Sequence, residues 1–170
     1  MLYFKRILLL IFFLTIFSNL SLAEEKVSYI DLDYIINNSD YGKKMITELE
    51  TLKSQNLNKL KTEEEIIIKY EKDLIAKKNV ITDEEFQKSL KVLKNKINEF
   101  NEKKVFISKD FKNQKNKNIS NFFEKTAPLI KNYMSEKSIS ILVDKKNIFI
   151  GKSNYDITED ILKIINNSLK

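Results

Sequence analysis

Cysteine, tryptophan and histidine are absent from this chain, and it has two glycines, one proline and a single arginine, Arg6. Without cysteine there is no disulfide framework and no thiol chemistry. Without cysteine and histidine, a structural zinc site loses its usual ligands. The missing histidine also removes the commonest general base. No serine sits in a nucleophile setting, so the chain does not read as an enzyme. Two glycines cannot build a phosphate loop. Ile150-Gly151-Lys152-Ser153 resembles the end of one, but the motif needs a glycine five residues before Gly151, and Lys146 stands there. Any activity is therefore expected to be independent of ATP and of cofactors. Asp156, Glu159 and Asp160 read as acids in the first turn of a helix, where the dipole favours them, rather than as a catalytic carboxylate pair.

The scarcity of glycine and proline has a pattern. Between Lys43 and Ala127 neither occurs. An uninterrupted, lysine-dense, helix-permissive stretch of that length is not an ordinary globular core helix. Two apolar stripes with steps of three and four run through it. Ile46, Leu49, Leu60, Ile67, Tyr70 and Leu74 form the first, with Lys53, Asn56 and Glu63 on the same seam. Phe86, Leu90, Leu93, Ile97, Phe100, Ile107 and Phe111 form the second, interrupted by Lys104. Between them Asn79-Val80-Ile81 offers a turn, and Thr82 with Glu85 forms the pattern of a capping box. Folding back near residue 80 sets Leu74 against Phe86, Ile67 against Leu93, Leu60 against Phe100 and Leu49 against Phe111. The prediction is an antiparallel coiled-coil hairpin with a paired length of roughly 50 Å. Its arm is residues 43–118, with the tip near 79–82.

Short elements flank the arm. Lys26–Leu32 reads as a strand, and Asn37-Asn38-Ser39-Asp40 as a loop with capping residues before Gly42. Phe122, Phe123, Leu129, Ile130, Tyr133 and Met134 make the far end of the second helix apolar enough to pack on a body. Pro128 is expected to kink that helix or restart it after Ala127. Ile139–Val143 reads as a second strand, Asp144–Asn147 as a hairpin loop and Ile148–Ile150 as a third strand. Asp156 is placed as the cap of a last helix with Glu159 three residues on, and Ile157, Ile161, Ile164 and Ile165 as its buried face. The body is residues 24–42 and 119–170. At about 70 residues it is marginal alone, which favours self-association through the strands.

The first residues carry an export signal. Lys5 and Arg6 precede the run Ile7–Phe17, apolar except for Thr15, and Ser21-Leu22-Ala23 supplies the small residues of a cleavage site. The run is short of the roughly 20 residues a bilayer span needs. Residues 1–23 are therefore expected to be a signal peptide, cleaved after Ala23.

Charge is uneven. In residues 24–42 Lys26 stands against Glu24, Glu25, Asp31, Asp33 and Asp40, whereas residues 43–137 carry 22 lysines against 15 acids. A basic arm on an acidic base steers acidic partners. Lys103, Lys104, Lys109 and Lys112, with Phe106 and Phe111 among them, are candidate binding residues, and so are Lys77 and Lys78 near the tip. The same cluster has the composition of a nucleic-acid surface. The export signal and the lack of arginine beyond the leader, arginine being the usual guanine reader, argue against that, and no nucleic acid is expected. Anionic lipid or lipopolysaccharide is a further partner that such an arm admits.

Two segments resemble a known family, the periplasmic Skp/OmpH chaperones. K-V-S-Y-I-D-L-D-Y-I-I-N-N-S-D-Y-G-K-K (26–44) is similar to the family's opening strand, short helix and glycine-lysine entry to the arm. S-I-L-V-D-K-K-N-I-F-I-G-K-S-N-Y-D-I-T-E-D-I-L (140–162) is similar to its closing strand, hairpin and terminal helix start. Pro128 falls where many members carry a proline. The resemblance implies an α+β fold, with a small β body whose strands are shared between subunits and a long helical coiled-coil arm. It implies a homotrimer in the periplasm that holds unfolded outer-membrane β-barrel precursors between its arms without ATP. Carried over by position, Val27, Tyr29, Ile141, Val143, Ile148 and Ile150 build the shared strands. The alternative is an exported coiled-coil spacer or adaptor that binds one folded envelope partner.

Overall fold

The computed structural model describes residues 26–169; the signal-peptide expectation for 1–23 lies outside them. Strand β1 (Lys26–Ile30) leads at once into a short helix, α1 (Leu32–Asn38). Asp31 makes that switch, because its carboxylate accepts the Tyr34 N–H at 2.9 Å. Ser39 makes the next one: its Oγ accepts the Gly42 N–H at 3.1 Å and caps helix α2 (Asp40–Lys77). The long helix therefore starts ahead of the expected Lys43, and Gly42 lies inside it.

After the tip, α3 runs from Asp83 to Glu136. Its start is the capping box read from sequence: Thr82 Oγ1 accepts the Glu85 N–H, and the Glu85 carboxylate accepts the Thr82 N–H at 3.1 Å. With 54 residues, α3 is about 80 Å long. It passes through Pro128 without a break, so the helix does not restart after Ala127. Pro128 is on an exposed face, where water can take the carbonyl that the missing N–H leaves free.

Strand β2 (Ile139–Asp144) pairs with β1 in parallel, Val27 beside Ile141 and Tyr29 beside Val143. Parallel neighbours need a long crossover, and the whole helical hairpin is that crossover. The expected hairpin and third strand do not form. The Asp144 carboxylate accepts the Lys146 N–H, which turns the chain into a 3-10 turn at Lys145–Asn147. Residues 148–150 then leave the sheet and pair with no strand among the described residues. A second 3-10 turn (Ser153–Tyr155) precedes the last helix, α4 (Thr158–Ser168). Asp156 helps start α4 through Thr158, whose backbone N–H it accepts at 3.0 Å, and not through Glu159.

The core lies where the ends of the long helices meet the strands and α4. Ile30, Ile35, Met45, Phe122, Tyr133, Ile139, Ile157, Ile161 and Ile165 fill it. Ile161 and Ile165 are one turn apart on α4 and fully buried. The Tyr133 hydroxyl donates to Asp160 at 2.6 Å. Burial and that bond push its pKa up to about 12, so it donates across the working pH range. No helix among the described residues is long and apolar enough to cross a membrane.

Candidate binding surfaces on the base and the arm

Two surfaces expose apolar side chains, one at the base and one along the arm. At the base, the ladder brings Val27, Tyr29, Ile141 and Val143 together on two adjacent strands. Ile148 and Ile150 follow in the loop and, with Val27, Tyr29, Val143 and Tyr155, line a cleft of about 750 Å³. Val27 and Ile141 are about half exposed, Ile150 is 83% exposed, and Phe149 is 98% exposed. The family resemblance named all these residues except Tyr155 and Phe149, the latter read as the middle of a strand.

Around this cleft the charges are tied locally. Lys145 lies 3.6 Å from Asp31 and 3.7 Å from Asp156, and Lys146 lies 2.8 Å from Asp144. The Lys146 ammonium beside Asp144 holds that carboxyl below the usual range. Burial alone would raise Asp156, but the hydrogen bonds from Thr158 and the nearby Lys145 outweigh it, so Asp156 is lowered too.

Along the arm, most of the expected seam is covered, including Ile46, Leu49, Leu60, Ile67, Tyr70 and Leu74 on α2, and it departs at a few positions. In α3 the covered positions are Phe86, Ser89, Leu93, Lys96, Phe100, Ile107, Asp110, Phe111 and Gln114. Leu90 and Ile97, assigned to the seam from sequence, are exposed beside it. In α2, Leu52 takes the place expected for Lys53, while Asn56 and Glu63 are on the seam as read. The cross-arm register is also displaced. Tyr41 stacks on Phe122 with ring centroids 5.9 Å apart, where the expected register had Ile119. Lys103 reaches Glu63 at 2.5 Å, where the expected register had Ile97. The physical reason is that a lysine can lie in a seam with its stem packed and its head outside. Lys96 does so, with its ammonium 5.9 Å from the centre of the Tyr70 ring.

The consequence is an inverted economy. Ser89 and Lys96 occupy the seam, while the next residues, Leu90 and Ile97, are apolar and stand beside it. On α2, Ile68 and Ile75 are likewise exposed. Each pair, Ile68 with Ile75 and Leu90 with Ile97, is spaced by seven and so shares one face of its helix. The groove beside the Glu63–Lys103 pair is lined by Lys59, Thr62 and Ile66 on one helix and Lys96 and Glu99 on the other. At about 100° per residue, all four exposed residues lie on the opposite side of the arm. The cross-arm contacts set Ile75 level with Leu90, and Ile68 level with Ile97. Lys72, Lys94 and Lys104 stand one or two turns from them on the same faces.

The sequence candidates divide accordingly. Phe106 is exposed, whereas Phe111 is half-buried in the seam. Lys103 is held by Glu63, and Lys104 leans over the Phe100 ring at 5.8 Å. Lys109 and Lys112 are exposed on the basal half of α3, and Lys77 and Lys78 are exposed at the tip beside Val80. The quartet Ile68, Ile75, Leu90 and Ile97 was missed as a surface. Its signal was the seven-residue spacing combined with polar residues one position away.

Comparisons with known proteins agree on the fold. The family model described as "Outer membrane protein (OmpH-like)" matches residues 26–165. A Skp-like protein from Chlamydia pneumoniae is 27% identical over 168 residues, which cover 93% of this chain and 94% of that protein. The solved structure of an OmpH-like outer membrane chaperone from Caulobacter crescentus matches with a TM-score of 0.79 and 20% identity, covering 86% of each chain. At that identity the likeness is one of fold.

Proposed function

This chain belongs to the OmpH-like family of outer membrane proteins, and we propose that it is an exported, ATP-independent chaperone that holds unfolded outer-membrane β-barrel precursors in the periplasm. In this reading residues 24–42 and 119–170 form the body of a homotrimer, and residues 43–118 form three arms around a space for the client. The leader ending at Ala23 supports export. The observation that carries the reading is the inversion on the arm. Ile68 and Ile75 on α2 and Leu90 and Ile97 on α3 stand outside the seam among lysines, while Ser89 and Lys96 lie within it. A coiled coil selected only as a spacer would gain by covering Ile75, 64% exposed, and the flanking Ile68, Leu90 and Ile97 more fully. Left outside, they offer many small apolar contacts, each too weak to fold or trap a client, and the lysines add attraction to acidic segments.

A dilution assay tests it. The mature chain is mixed with a urea-unfolded outer-membrane barrel, and light scattering is followed without nucleotide. The expected result is suppressed aggregation at about one trimer per client. Undiminished aggregation from folded, oligomeric protein would discard the holding role and restore the adaptor reading. Changing Ile68, Ile75, Leu90 and Ile97 together to serine should abolish suppression while leaving helicity and oligomeric state unchanged.

A further inference from the structure

The arm leaves the body on two roots, the start of α2 and the end of α3, and the last helix is fastened to both. At its own start α4 is fixed to the first strand. The Ile157 N–H donates to the Tyr29 carbonyl at 3.0 Å, and Thr158 Oγ1 accepts the Asp31 N–H at 2.9 Å. Further along, Asp160 accepts the Tyr133 hydroxyl at 2.6 Å, near the end of α3. Asn166 Oδ1 accepts the Asp40 N–H at 2.9 Å, and Asp40 is the first residue of α2. Between these two bonds Ile161 and Ile165 are fully buried in the core.

Each bond suits its place. The first amides of a helix find no carbonyl within it. At the start of α2, Ser39 takes the Gly42 N–H, and Asn166, from the far end of the chain, takes that of Asp40. Tyr133 is buried, and a buried hydroxyl ordinarily finds a partner. Apolar packing is non-directional, so by itself it lets one helix swivel on another, whereas a hydrogen bond holds a narrow range of distance and angle. Two such bonds, one on each root and about 9 Å apart along α4, triangulate the arm on the body. The Tyr41–Phe122 stack joins the roots to each other and not to the sheet. The arm is a long lever. From Tyr41 to Lys78 it runs about 55 Å, so a swivel of about 10° at the roots carries the tip about 10 Å.

We infer that α4 sets the direction in which the arm leaves the body, with Asp160 and Asn166 as its positioning residues. Its start holds the strand and its length holds both roots, so the orientation of the sheet reaches the arm through it. The inference rests on the holding role proposed above only for its consequence. The space among the arms of the homotrimer, and with it the size of client held, follows from that direction.

The chain has no cysteine, so Asn79→Cys at the tip and Lys163→Cys on α4, both at exposed residues, take a fluorophore pair without background. Labelled mature chains are mixed with an excess of unlabelled ones, so that energy transfer reads each arm against its own body. Tyr133→Phe combined with Asn166→Ala removes one hydroxyl and one acceptor. Its distance distribution should shift or widen by about 10 Å, with helicity by circular dichroism unchanged. Asn166→Asp keeps an acceptor for the Asp40 N–H and should keep the distribution of the unaltered protein. An unchanged distribution in the double variant overturns the inference, and so does an equal change in Asn166→Asp. If the double variant melts, Asn166→Ala alone, at a half-buried residue, is read by the same two outcomes. The double variant should also suppress barrel aggregation less, although Ile68, Ile75, Leu90 and Ile97 are intact. If the unaltered protein holds no client, the holding role fails, and the inference still stands or falls on the distance.

Discussion

A Cβ on Gly42 would collide with the Ile36 carbonyl oxygen, which belongs to backbone and cannot swing away. The glycine is there because the helices on either side of Ser39 cross too closely for any side chain. Gly42→Ala should therefore lower stability by about 3 kcal/mol, the upper end of overpacking costs, as a lower midpoint in urea. The opposite case is Ser138, which holds a φ of 53° where α3 hands over to β2. That left-handed conformation costs a non-glycine residue about 1 kcal/mol. Ser138→Gly should recover most of that cost in the same measurement. Asp144 and Asp156 set the acid limit. Each has a folded pKa below its ordinary value, so each contributes stability that is complete above the unfolded pKa near 4. That stability is lost as pH falls through the folded values. The urea midpoint should be level from about pH 7 to 5 and decline below about pH 4. Asp156→Asn should flatten part of that decline.

At the scale of elements, the sequence announced the hairpin and most of its seam, and misplaced Leu90 and Ile97. The absence of glycine and proline from Lys43 to Ala127, with Thr82 and Glu85 at the turn, made two long helices legible. A search for apolar residues at steps of three and four then chose Leu90 and Ile97, because nothing local says that Ser89 and Lys96 lie in the contact. That information is held by the partner helix, through Glu63 and Tyr70. The third strand was misread for a related reason. Ile148, Phe149 and Ile150 have strand composition, but the turn fixed by Asp144 carries them away from the one strand edge the chain could offer. The six base residues were named from the family resemblance, and the fold brings Val27, Tyr29, Ile141 and Val143 onto two strands while Ile148 and Ile150 fall in the loop. The seam can be separated from the surface by two neighbours. Ser89→Leu should raise the melting temperature, with about 1 kcal/mol from added burial, and leave client capture intact. Leu90→Ser should leave stability within about 0.5 kcal/mol and weaken capture. If Leu90→Ser instead melts the arm, Leu90 belongs to the seam after all.

At the scale of the whole molecule, charge and apolar contact act at different distances. The excess of lysine lies in residues 43–137 and the excess of acid in residues 24–42, so the proposed homotrimer would hold several positive arms around one space. Screening lengths fall from about 10 Å at 0.1 M salt to about 3 Å at 1 M. Attraction across such a space is therefore lost with salt, while contact with Ile68, Ile75, Leu90 and Ile97 is not. The association rate for an acidic unfolded barrel should drop steeply as ionic strength rises, and the dissociation rate should change little. A basic client should show no such drop. Stopped-flow fluorescence with both clients at two salt concentrations separates the contributions. A rate indifferent to salt with the acidic client would remove steering from the mechanism and leave capture to the exposed isoleucines and leucine alone.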